Sequence, residues 1–319
     1  MKKIKILITA PLKHIIGQKK ILEKNFKCTF LNHDQHKKIN HLLKFNTGWI
    51  CSPSPKKLIS FFNYPNVKKL KFIATPSTGT THISEEIKKD LNIKILSLSM
   101  TKKINLIKAS SEYTFSIALT LIKKIISAQK FVKKGHWRDV ENILRSDELF
   151  QKTVGIIGFG RIGKNLLKYS NAFGMEPIIY DPNVRKNNYN NIKNLEKIKS
   201  KCHIIFVCIN YTKKNIEFIN RDFFMNLKKN PYFINTSRGE IVNEQALLMA
   251  LKKKLIKGAA IDVLQNEQSL NLSKNKLVKF AKSNENLIIT PHIAGLTFQS
   301  ESKAIDLVIE LIKKHIKSK

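Results

Sequence analysis

The chain has 319 residues, of which 42% are hydrophobic and 25% are charged. These proportions exclude a largely disordered chain, and the length allows two domains that each bury a core. The net charge of +35, from 58 basic and 23 acidic residues, is typical of proteins that bind nucleic acid or anionic membranes. The lysines are, however, spread along the whole chain in pairs and triplets. This distribution favours a different interpretation, in which the lysines lie on solvated surfaces and their number reflects codon drift in an A/T-rich genome.

Cysteine usage and hydropathy indicate the compartment. The N-terminal apolar run is short and interrupted by Lys5, so a first strand is a better interpretation than a signal peptide. No run reaches the roughly 18 apolar residues that a membrane span needs. We therefore expect a cytoplasmic protein without a membrane partner. The cysteines show no C-x-x-C pairing and are interpreted as small core residues in a reducing compartment, with no metal site: Cys28, Cys51, Cys202 and Cys208.

In chain order, the first hundred residues alternate short apolar strands with helical stretches, which predicts a parallel α/β domain. The predicted strands cover residues 4–9, 28–31, 49–51, 72–75 and 93–98. A single long helix over 103–134, with apolar positions that include Ile107 and Phe115, is then predicted to connect this domain to a second one.

Six further strands complete the count of a dinucleotide-binding sheet. They are predicted over 154–157, 177–180, 204–209, 232–235, 259–262 and 287–290, with a polar surface loop over 187–194. In the helix predicted over 243–255, Asn243 can cap the first turn and Glu244 favours its positive end. The last helix, over 301–316, lies beyond this sheet, and we expect it to pack on the first domain.

The turn after strand 154–157 contains the spacing Gly-x-Gly-x-x-Gly before a helix. Gly158 permits a tight turn, Gly160 lets the backbone approach a pyrophosphate, and Gly163 lets the helix pack close to the sheet. The next strand ends at Asp181, whose carboxylate can accept hydrogen bonds from ribose hydroxyls and would repel a 2′-phosphate. The motif therefore predicts a binding site for NAD rather than NADP. The alternative interpretation is an ordinary strand–helix turn that binds no nucleotide.

Polar side chains follow three later strands, at the ends where doubly wound sheets bind ligands. Arg238 could hold a substrate carboxylate through a charge-assisted fork. His292 could move the hydroxyl proton because imidazole titrates near working pH, and Glu267 could stabilise the imidazolium and fix its tautomer. Each residue alone is more often a surface charge or a structural group. The three together, after a nucleotide-binding turn, predict a hydride-transfer site.

These motifs also carry a resemblance that covers nearly the whole chain. They are Gly158-Phe-Gly-Arg-Ile-Gly163, Tyr180-Asp-Pro182, Asn235-Thr-Ser-Arg-Gly239, Ile261-Asp-Val263 with Glu267, and Thr290-Pro-His-Ile-Ala-Gly295. The sequence resembles the D-isomer-specific 2-hydroxyacid dehydrogenase family, the relatives of phosphoglycerate dehydrogenase. Ser77-Thr-Gly-Thr-Thr-His-Ile83 is similar to the family's carboxylate-binding turn, and Ser111-Glu-Tyr-Thr114 with Gly135-His-Trp137 is similar to its interdomain helix and the turn after it.

The resemblance implies an NAD-dependent enzyme that interconverts a D-2-hydroxy acid and its 2-keto acid in a cleft between domains. Its catalytic residues would be Arg238, Glu267 and His292, and its substrate would contact Arg238 and the turn formed by Ser77, Thr78 and Gly79. Asp262 would lie near the nicotinamide carboxamide. The full set of implied cofactor contacts is Gly158, Gly160, Arg161, Ile162, Gly163, Asp181, Ile209, Thr236, Arg238, Asp262, His292 and Gly295.

The expected fold is α/β, with two doubly wound parallel-sheet domains. A Rossmann NAD-binding domain (103–291) would be inserted into a flavodoxin-like substrate-binding domain (1–102 and 292–319). The family arrangement also implies a homodimer formed through the long helix region, and a small 2-hydroxy or 2-keto acid as the substrate.

Four residues differ from those usual at their positions in the family, and none of them removes a catalytic group: Thr81, Asn210, Gln265 and Gln268. These differences leave the identity of the substrate open more than the type of reaction. Three alternatives stay open. The protein could be a 3-phosphoglycerate dehydrogenase of serine biosynthesis. It could be a non-catalytic NAD-sensing protein, although retention of Arg238, Glu267 and His292 argues against this. A specific nucleic-acid-binding protein would rest on charge alone.

Overall fold

The structure is a computed structural model that describes residues 3–55, 57–184 and 194–318. The chain divides into two compact units. One contains the residues up to Ile107 together with those from Leu296 onward, and the other runs from Lys108 to Gly295. The assignment of substrate binding to one domain and NAD binding to the other, with the bounds expected from the sequence, stays a prediction.

The first unit opens with strands and helices in alternation. The strands are β1 (Lys5–Ile8), β2 (Lys27–Phe30), β3 (Gly48–Ile50), β4 (Phe72–Thr75) and β5 (Lys94–Ser97), and the helices are α1 (Gln18–Asn25), α2 (His36–Leu43) and α3 (Glu85–Lys89). Each strand lies within one residue of its predicted bounds, so the predicted strands of this unit are confirmed.

The five strands of the first unit are parallel and lie in the order β2-β1-β3-β4-β5, which is the flavodoxin-like order. Successive side chains of a strand point to opposite faces of the sheet. Ile6 and Ile8 accordingly pack into one apolar layer, and Leu7 packs into another. Because both faces are covered, the strands appear in the sequence as nearly unbroken apolar runs.

The second unit also alternates helices and strands. Its elements are α4 (Ala109–Ile122), α5 (Ile125–Lys133), α6 (Glu141–Leu144), β6 (Thr153–Ile157), α7 (Arg161–Ala172), β7 (Glu176–Tyr180), α8 (Leu195–Lys201), β8 (Ile204–Val207), α9 (Arg221–Met225), β9 (Tyr232–Asn235), α10 (Glu244–Lys252), β10 (Gly258–Ile261), α11 (Lys276–Ala281) and β11 (Leu287–Ile289). The six predicted strands of this unit are present, and β8 ends two residues earlier than predicted.

The described strands of the second unit form a parallel sheet in the order β11-β10-β9-β8-β6-β7. Strand β8, the third described strand of this unit, pairs with β6 rather than β7, so the order of the described strands differs from the 3-2-1-4-5-6 order of many dinucleotide-binding sheets. Strand β7 lies on one side of β6, and the strands that follow β7 in the chain lie on the other side, so the strand order reverses at β6. The carboxyl end of β6 is therefore the topological switch point, where open α/β sheets bind ligands.

The predicted single helix over 103–134 is wrong. The chain instead forms α4 and α5, which are separated at Lys124, whose φ of 51° is left-handed and interrupts the helix. The first of these helices, α4, begins at Ala109 rather than at residue 103. The apolar residues that predicted one helix belong to the cores of two different units. Ile107 packs in the first unit, whereas Phe115 packs in the second.

The last helix, α12 (Phe298–Lys317), belongs to the first unit. The Thr297 side chain accepts a hydrogen bond from the Ser300 amide at 3.1 Å and so caps the helix. Ile305 and Val308 of α12 lie in the same apolar layer as Ile6 of β1. The prediction that this helix packs on the first domain is thereby confirmed, with ends slightly beyond the predicted 301–316.

Three further observations concern predictions made from composition and local sequence. None of the described helices is long and apolar enough to span a bilayer. All four cysteines are free, and burial raises the pKa of Cys51, Cys202 and Cys208 to about 12. The polar stretch predicted as a surface loop falls, up to residue 193, outside the described residues. A cytoplasmic location stays a prediction.

Candidate active site

The turn after β6 has the geometry that its glycines predict. Gly158 has a φ of 98°, which glycine adopts without strain, and its amide donates to the Tyr180 carbonyl at 2.8 Å. A Cβ on Gly163 would lie 2.1 Å from the Gly158 carbonyl oxygen. Glycine is therefore required at position 163 for α7 to begin this close to the turn.

The start of α7 fits the phosphates of a dinucleotide. A Cβ on Gly160 would meet no heavy atom of the described residues within 4 Å, and α7 has no side-chain cap. First-turn amides of such a helix attract anions. Arg161 lies at the first helical position, where burial lowers the pKa of its guanidinium. A bound pyrophosphate would offset that desolvation.

Asp181 lies directly after β7 and is half-buried. One of its carboxylate oxygens accepts a hydrogen bond from the Phe159 amide at 2.8 Å, and the other accepts one from the Asn183 amide at 2.9 Å. Each oxygen keeps a further lone pair, so ribose hydroxyls can still donate to the carboxylate. Arg185 and Lys186, which could offset repulsion of a 2′-phosphate, lie outside the described residues.

Thr236 follows β9 and is held by α4. Its hydroxyl lies 2.6 Å from the Thr114 hydroxyl, which itself donates to the Ser110 carbonyl at 2.5 Å. Thr236 is therefore the donor between the two hydroxyls, and its oxygen lone pairs remain available to a ligand. The other implied cofactor contacts lie in loops or at helix starts: Ile162 and Ile209 are half-buried, and Gly295 is exposed.

Arg238 is the half-buried cation of the site. Burial lowers the pKa of its guanidinium, and the charges of Glu267 and Glu240 act in the opposite direction. Its Nη1 donates to the Ser237 carbonyl at 2.6 Å. A guanidinium has five N–H donors, so the side chain can also bind a carboxylate.

A carboxylate–imidazole pair joins the loops that follow β10 and β11. His292 Nδ1 lies 2.6 Å from Glu267 Oε2, and Glu267 Oε1 accepts a hydrogen bond from the Leu264 amide at 3.2 Å. Because Glu267 occupies Nδ1, Nε2 is the ring atom that can exchange a proton with a substrate. The side chains of His292 and Glu267 are 44% and 36% exposed, so a ligand can reach the pair.

The backbone of His292 is held in a left-handed conformation, with a φ of 56°. Its amide donates to the Asp262 carbonyl at 2.9 Å. The buried Asp262 carboxylate in turn accepts hydrogen bonds from the Thr290 hydroxyl at 2.6 Å, the Ile293 amide at 3.0 Å and the Ala294 amide at 2.8 Å. Asp262 thereby fixes the loop that carries His292, which offsets backbone strain of about 1–3 kcal/mol.

Sheet order brings the three candidate catalytic residues to one edge of the second unit. Strands β9, β10 and β11 are consecutive neighbours, and Arg238, Glu267 and His292 follow their carboxyl ends. A Cβ on Gly239 would lie 2.0 Å from the backbone carbon of Leu264. The absence of a side chain at Gly239 therefore lets the loop after β9 contact the loop after β10.

An apolar cavity of about 620 Å³ adjoins the Glu267–His292 pair within the second unit. Leu264, Val278 and Ile289 are among its apolar lining residues. The cavity is large enough for a small-molecule side chain.

The predicted carboxylate-binding turn lies in the first unit, after β4. The Ser77 hydroxyl donates to the Gly79 carbonyl at 2.7 Å, and the Ser77 carbonyl accepts from the Leu98 amide at 3.0 Å. Thr78 is exposed at the tip. One hydrogen bond within the turn and one from the residue after β5 therefore hold Ser77 in place.

Sequence reasoning missed the packing role of Gly239 and the contacts of Thr114 and Thr290. All three residues lie within the sequence motifs of the site. Packing and hydrogen bonds between residues far apart in the chain, however, leave no local sequence pattern. The described residues contain no group of three or more His, Cys, Asp or Glu side chains that could hold a metal ion.

Comparison with known proteins places these features in a family. Residues 115–294 match the family model described as D-isomer specific 2-hydroxyacid dehydrogenase, NAD binding domain. Glyoxylate reductase of Thermofilum pendens is 32% identical over 248 residues, which are 75% of this chain and 69% of that protein. D-3-phosphoglycerate dehydrogenase of Methanocaldococcus jannaschii is 30% identical over 252 residues, which are 77% of this chain and 46% of that protein.

A solved structure with the same fold is D-lactate dehydrogenase from Aquifex aeolicus, complexed with NAD and lactic acid. It has a TM-score of 0.83 and 26% identity, and the match covers 98% of this chain and 96% of that chain. The expected fold class, two parallel-sheet α/β domains, is confirmed by this likeness and by the two observed sheets. Because the family model covers more than half of the sequence, the chain belongs to the D-isomer-specific 2-hydroxyacid dehydrogenase family and is an NAD-dependent oxidoreductase.

Proposed function

We propose that this protein interconverts a D-2-hydroxy acid and its 2-keto acid, with Arg238, Glu267 and His292 as the catalytic residues. The observation that carries the proposal is the 2.6 Å contact between His292 Nδ1 and Glu267 Oε2, at a strand end next to the one that carries Arg238. A carboxylate-supported imidazole beside a guanidinium supplies both an acid/base and a carboxylate-binding group.

In the direction of reduction, bound NADH supplies the hydride that the carbonyl carbon receives. Arg238 holds the substrate carboxylate and so orients the adjacent carbonyl. The protonated His292 gives its Nε2 proton to the carbonyl oxygen as the alcohol forms, and Glu267 stabilises the imidazolium before that transfer. In the direction of oxidation, neutral His292 takes the hydroxyl proton back.

The first experiment is a screen of 2-keto acids that follows the loss of NADH absorbance. Names of similar proteins suggest the panel, since they include glyoxylate reductase, D-3-phosphoglycerate dehydrogenase and aromatic 2-oxoacid reductase. We expect turnover with at least one unphosphorylated 2-keto acid and production of the D-isomer of the hydroxy acid. Formation of the L-isomer, or no turnover with any member of the panel, would contradict the proposal.

Two alternatives give different results in the same screen. A 3-phosphoglycerate dehydrogenase, for which the 30% identity to the Methanocaldococcus jannaschii enzyme is the supporting observation, would reduce only the phosphorylated 2-keto acid. A non-catalytic NAD-sensing protein would bind NADH without oxidising it. Fluorescence of bound NADH, measured alongside turnover, separates that case from a protein that binds no cofactor.

We also propose that the protein forms a homodimer through the region of α4 to α6. Exposed apolar side chains there include Ile125 and Ile126 of α5 and Trp137, which is 72% exposed. Burial of these residues against a second copy would remove apolar surface from water. Light scattering of the purified protein should give twice the chain mass, and Trp137→Asp should shift the population toward monomer.

A further inference from the structure

Two consecutive peptide groups, Val263–Leu264 and Leu264–Gln265, connect parts of the candidate active site. The Leu264 amide donates to Glu267 Oε1, and the backbone of Leu264 and Gln265 packs against Gly239, the neighbour of Arg238. The position of this short segment therefore affects both the carboxylate that pairs with His292 and the loop that carries Arg238.

A second carboxylate holds the second of these two peptide groups. Glu244, in the first turn of α10, accepts a hydrogen bond from the Gln265 amide through Oε1 at 2.8 Å. Its Oε2 accepts one from the Asn275 side chain at 3.0 Å. Asn275 caps α11 by accepting from the Leu277 and Val278 amides at 2.9 Å and 3.1 Å.

The Gln265 side chain adds another connection to the same region, because its Nε2 donates to the Val242 carbonyl at 3.0 Å. Glu244 is half-buried, and charge-assisted hydrogen bonds to such a carboxylate are stronger than neutral ones. The carboxylate thus ties the starts of α10 and α11 to the loop after β10.

We propose that Glu244 is a positioning residue for the reaction, which sets the geometry of the Glu267–His292 pair through the Gln265 amide. The inference rests on the proposed roles of Glu267 and His292. Glu244 does not itself contact His292 in the hydrogen bonds described for it. Supporting groups of this kind hold an active side chain in its productive geometry.

The test compares Glu244→Ala, Glu244→Gln and Glu267→Gln, alone and combined. Glu244→Ala removes both hydrogen bonds and should lower kcat by about 10-fold, the low end of the effect of losing an outer supporting group. The KM for NADH should be unchanged. Glu244→Gln keeps an oxygen that can accept from the Gln265 amide, but its amide nitrogen would face the Asn275 donor, so it should retain more of kcat than the alanine variant.

The pH profile separates positioning from general loss of structure. If Glu244 acts through Glu267, Glu244→Ala should move the alkaline limit of keto-acid reduction to lower pH, as Glu267→Gln does. It should change kcat less than twofold in the Glu267→Gln background. Other charged groups face these carboxylates and stay in place in every variant: Arg238, Asp262, Lys130, Lys282 and Glu285 around the pair, and Glu217 and Lys276 around Glu244.

Asn194→Ala is the matched control, since it removes a side-chain helix cap in the same unit, from α8. It should lower the melting temperature without moving the pH limit. A wild-type kcat and pH limit in Glu244→Ala would overturn the inference, and so would independent effects of Glu244→Ala and Glu267→Gln. If His292→Ala kept normal turnover, the proposed function itself would be at fault rather than the role of Glu244.

Discussion

His292 combines an accessible ring with a tightly held backbone. Its ring is 44% exposed, yet its amide donates to the Asp262 carbonyl and its φ is left-handed. A proton donor must be reachable by substrate and must also keep its direction, because misplacement of a reacting group lowers the rate. The buried Asp262 carboxylate provides that direction by holding the next two amides of the loop.

Substitutions of Arg238 and His292 should affect different kinetic parameters. Arg238→Ala removes the proposed fork for the substrate carboxylate and should cost about 2–4 kcal/mol of transition-state binding, or roughly 30- to 1000-fold in kcat/KM. His292→Ala removes the proposed proton donor and should lower kcat by about 100- to 10,000-fold. Steady-state kinetics with saturating NADH measures both effects.

The affinity for NADH, measured by fluorescence, is the control and should barely change in either variant. Near-normal turnover of His292→Ala would contradict its role as the acid/base. An unchanged kcat/KM of Arg238→Ala would contradict its role as the carboxylate-binding group.

Glu267→Gln should change the pH dependence of the reaction. In the proposed mechanism, reduction requires the imidazolium form of His292, which the Glu267 carboxylate at 2.6 Å would stabilise. Without the negative charge the imidazolium would be stabilised less, so the alkaline limit of reduction should fall to lower pH. A pH profile of kcat/KM for the 2-keto acid tests this prediction. An unchanged alkaline limit in Glu267→Gln would contradict the proposal that Glu267 acts through His292.

At the scale of elements, local patterns predicted most of the fold. Strands such as β4 and β9 were predicted at their observed bounds, because buried apolar runs between turn residues leave a clear signal. The break at Lys124 was not predicted, since a left-handed residue between two apolar stretches has no sequence marker when it is lysine. The contact between Glu244 and Gln265 was also missed, because it depends on where two separate loops meet.

The loop after β7 should decide cofactor choice. Asp181 is placed at the end of that strand with lone pairs free for ribose hydroxyls, so NADH should react more efficiently than NADPH. Asp181→Ala should narrow this difference by removing the repulsion of a 2′-phosphate. The ratio of kcat/KM values for NADH and NADPH is the measurement, and equal values in the unmutated protein would contradict the role of Asp181.

A cluster at Asp147 ties the segment after α6 to the sheet. Asp147 Oδ2 accepts hydrogen bonds from the Tyr232 hydroxyl at 3.0 Å and the Lys257 ammonium at 2.7 Å. Burial raises the pKa of Asp147, but the hydrogen bonds from Lys257 and Tyr232 outweigh burial and hold it below its usual value. A depressed carboxyl pKa stabilises the folded state above the unfolded pKa, and this stabilisation is lost as the pH falls through the folded pKa.

Asp147→Asn should therefore lower the free energy of unfolding by about 1 kcal/mol at neutral pH, the size expected for a partly exposed ion pair with a second hydrogen bond. The difference from wild type should shrink as the pH falls below about 4. Urea unfolding at both pH values tests this. Lys257→Met should show a similar loss, and the double variant should lose less than the sum.

Across the whole molecule, the lysines behave as surface residues. Lys199 is the one buried lysine among the described residues, and its ammonium lies 2.9 Å from Glu196. The others reach solvent at least in part. This distribution agrees with a charge spread over solvated surfaces.

Binding of duplex DNA should accordingly be weak and nonspecific. Phosphate contacts by dispersed lysines depend steeply on salt, so binding seen at low ionic strength should disappear by physiological salt. Fluorescence anisotropy with two unrelated duplexes, over a salt series, measures this. Tight binding to one sequence that persists at physiological salt would restore nucleic-acid recognition as a function.

The position of α12 has a consequence for synthesis on the ribosome. The core of the first unit combines strands made early with a helix made after the whole second unit, and Val308 of that helix is fully buried in it. The second unit is therefore complete while one face of the earlier sheet still lacks its cover. The apolar side chains of that face, which include Ile6 and Phe72, therefore stay exposed until α12 leaves the exit tunnel. During this time they can bind chaperones or cause aggregation.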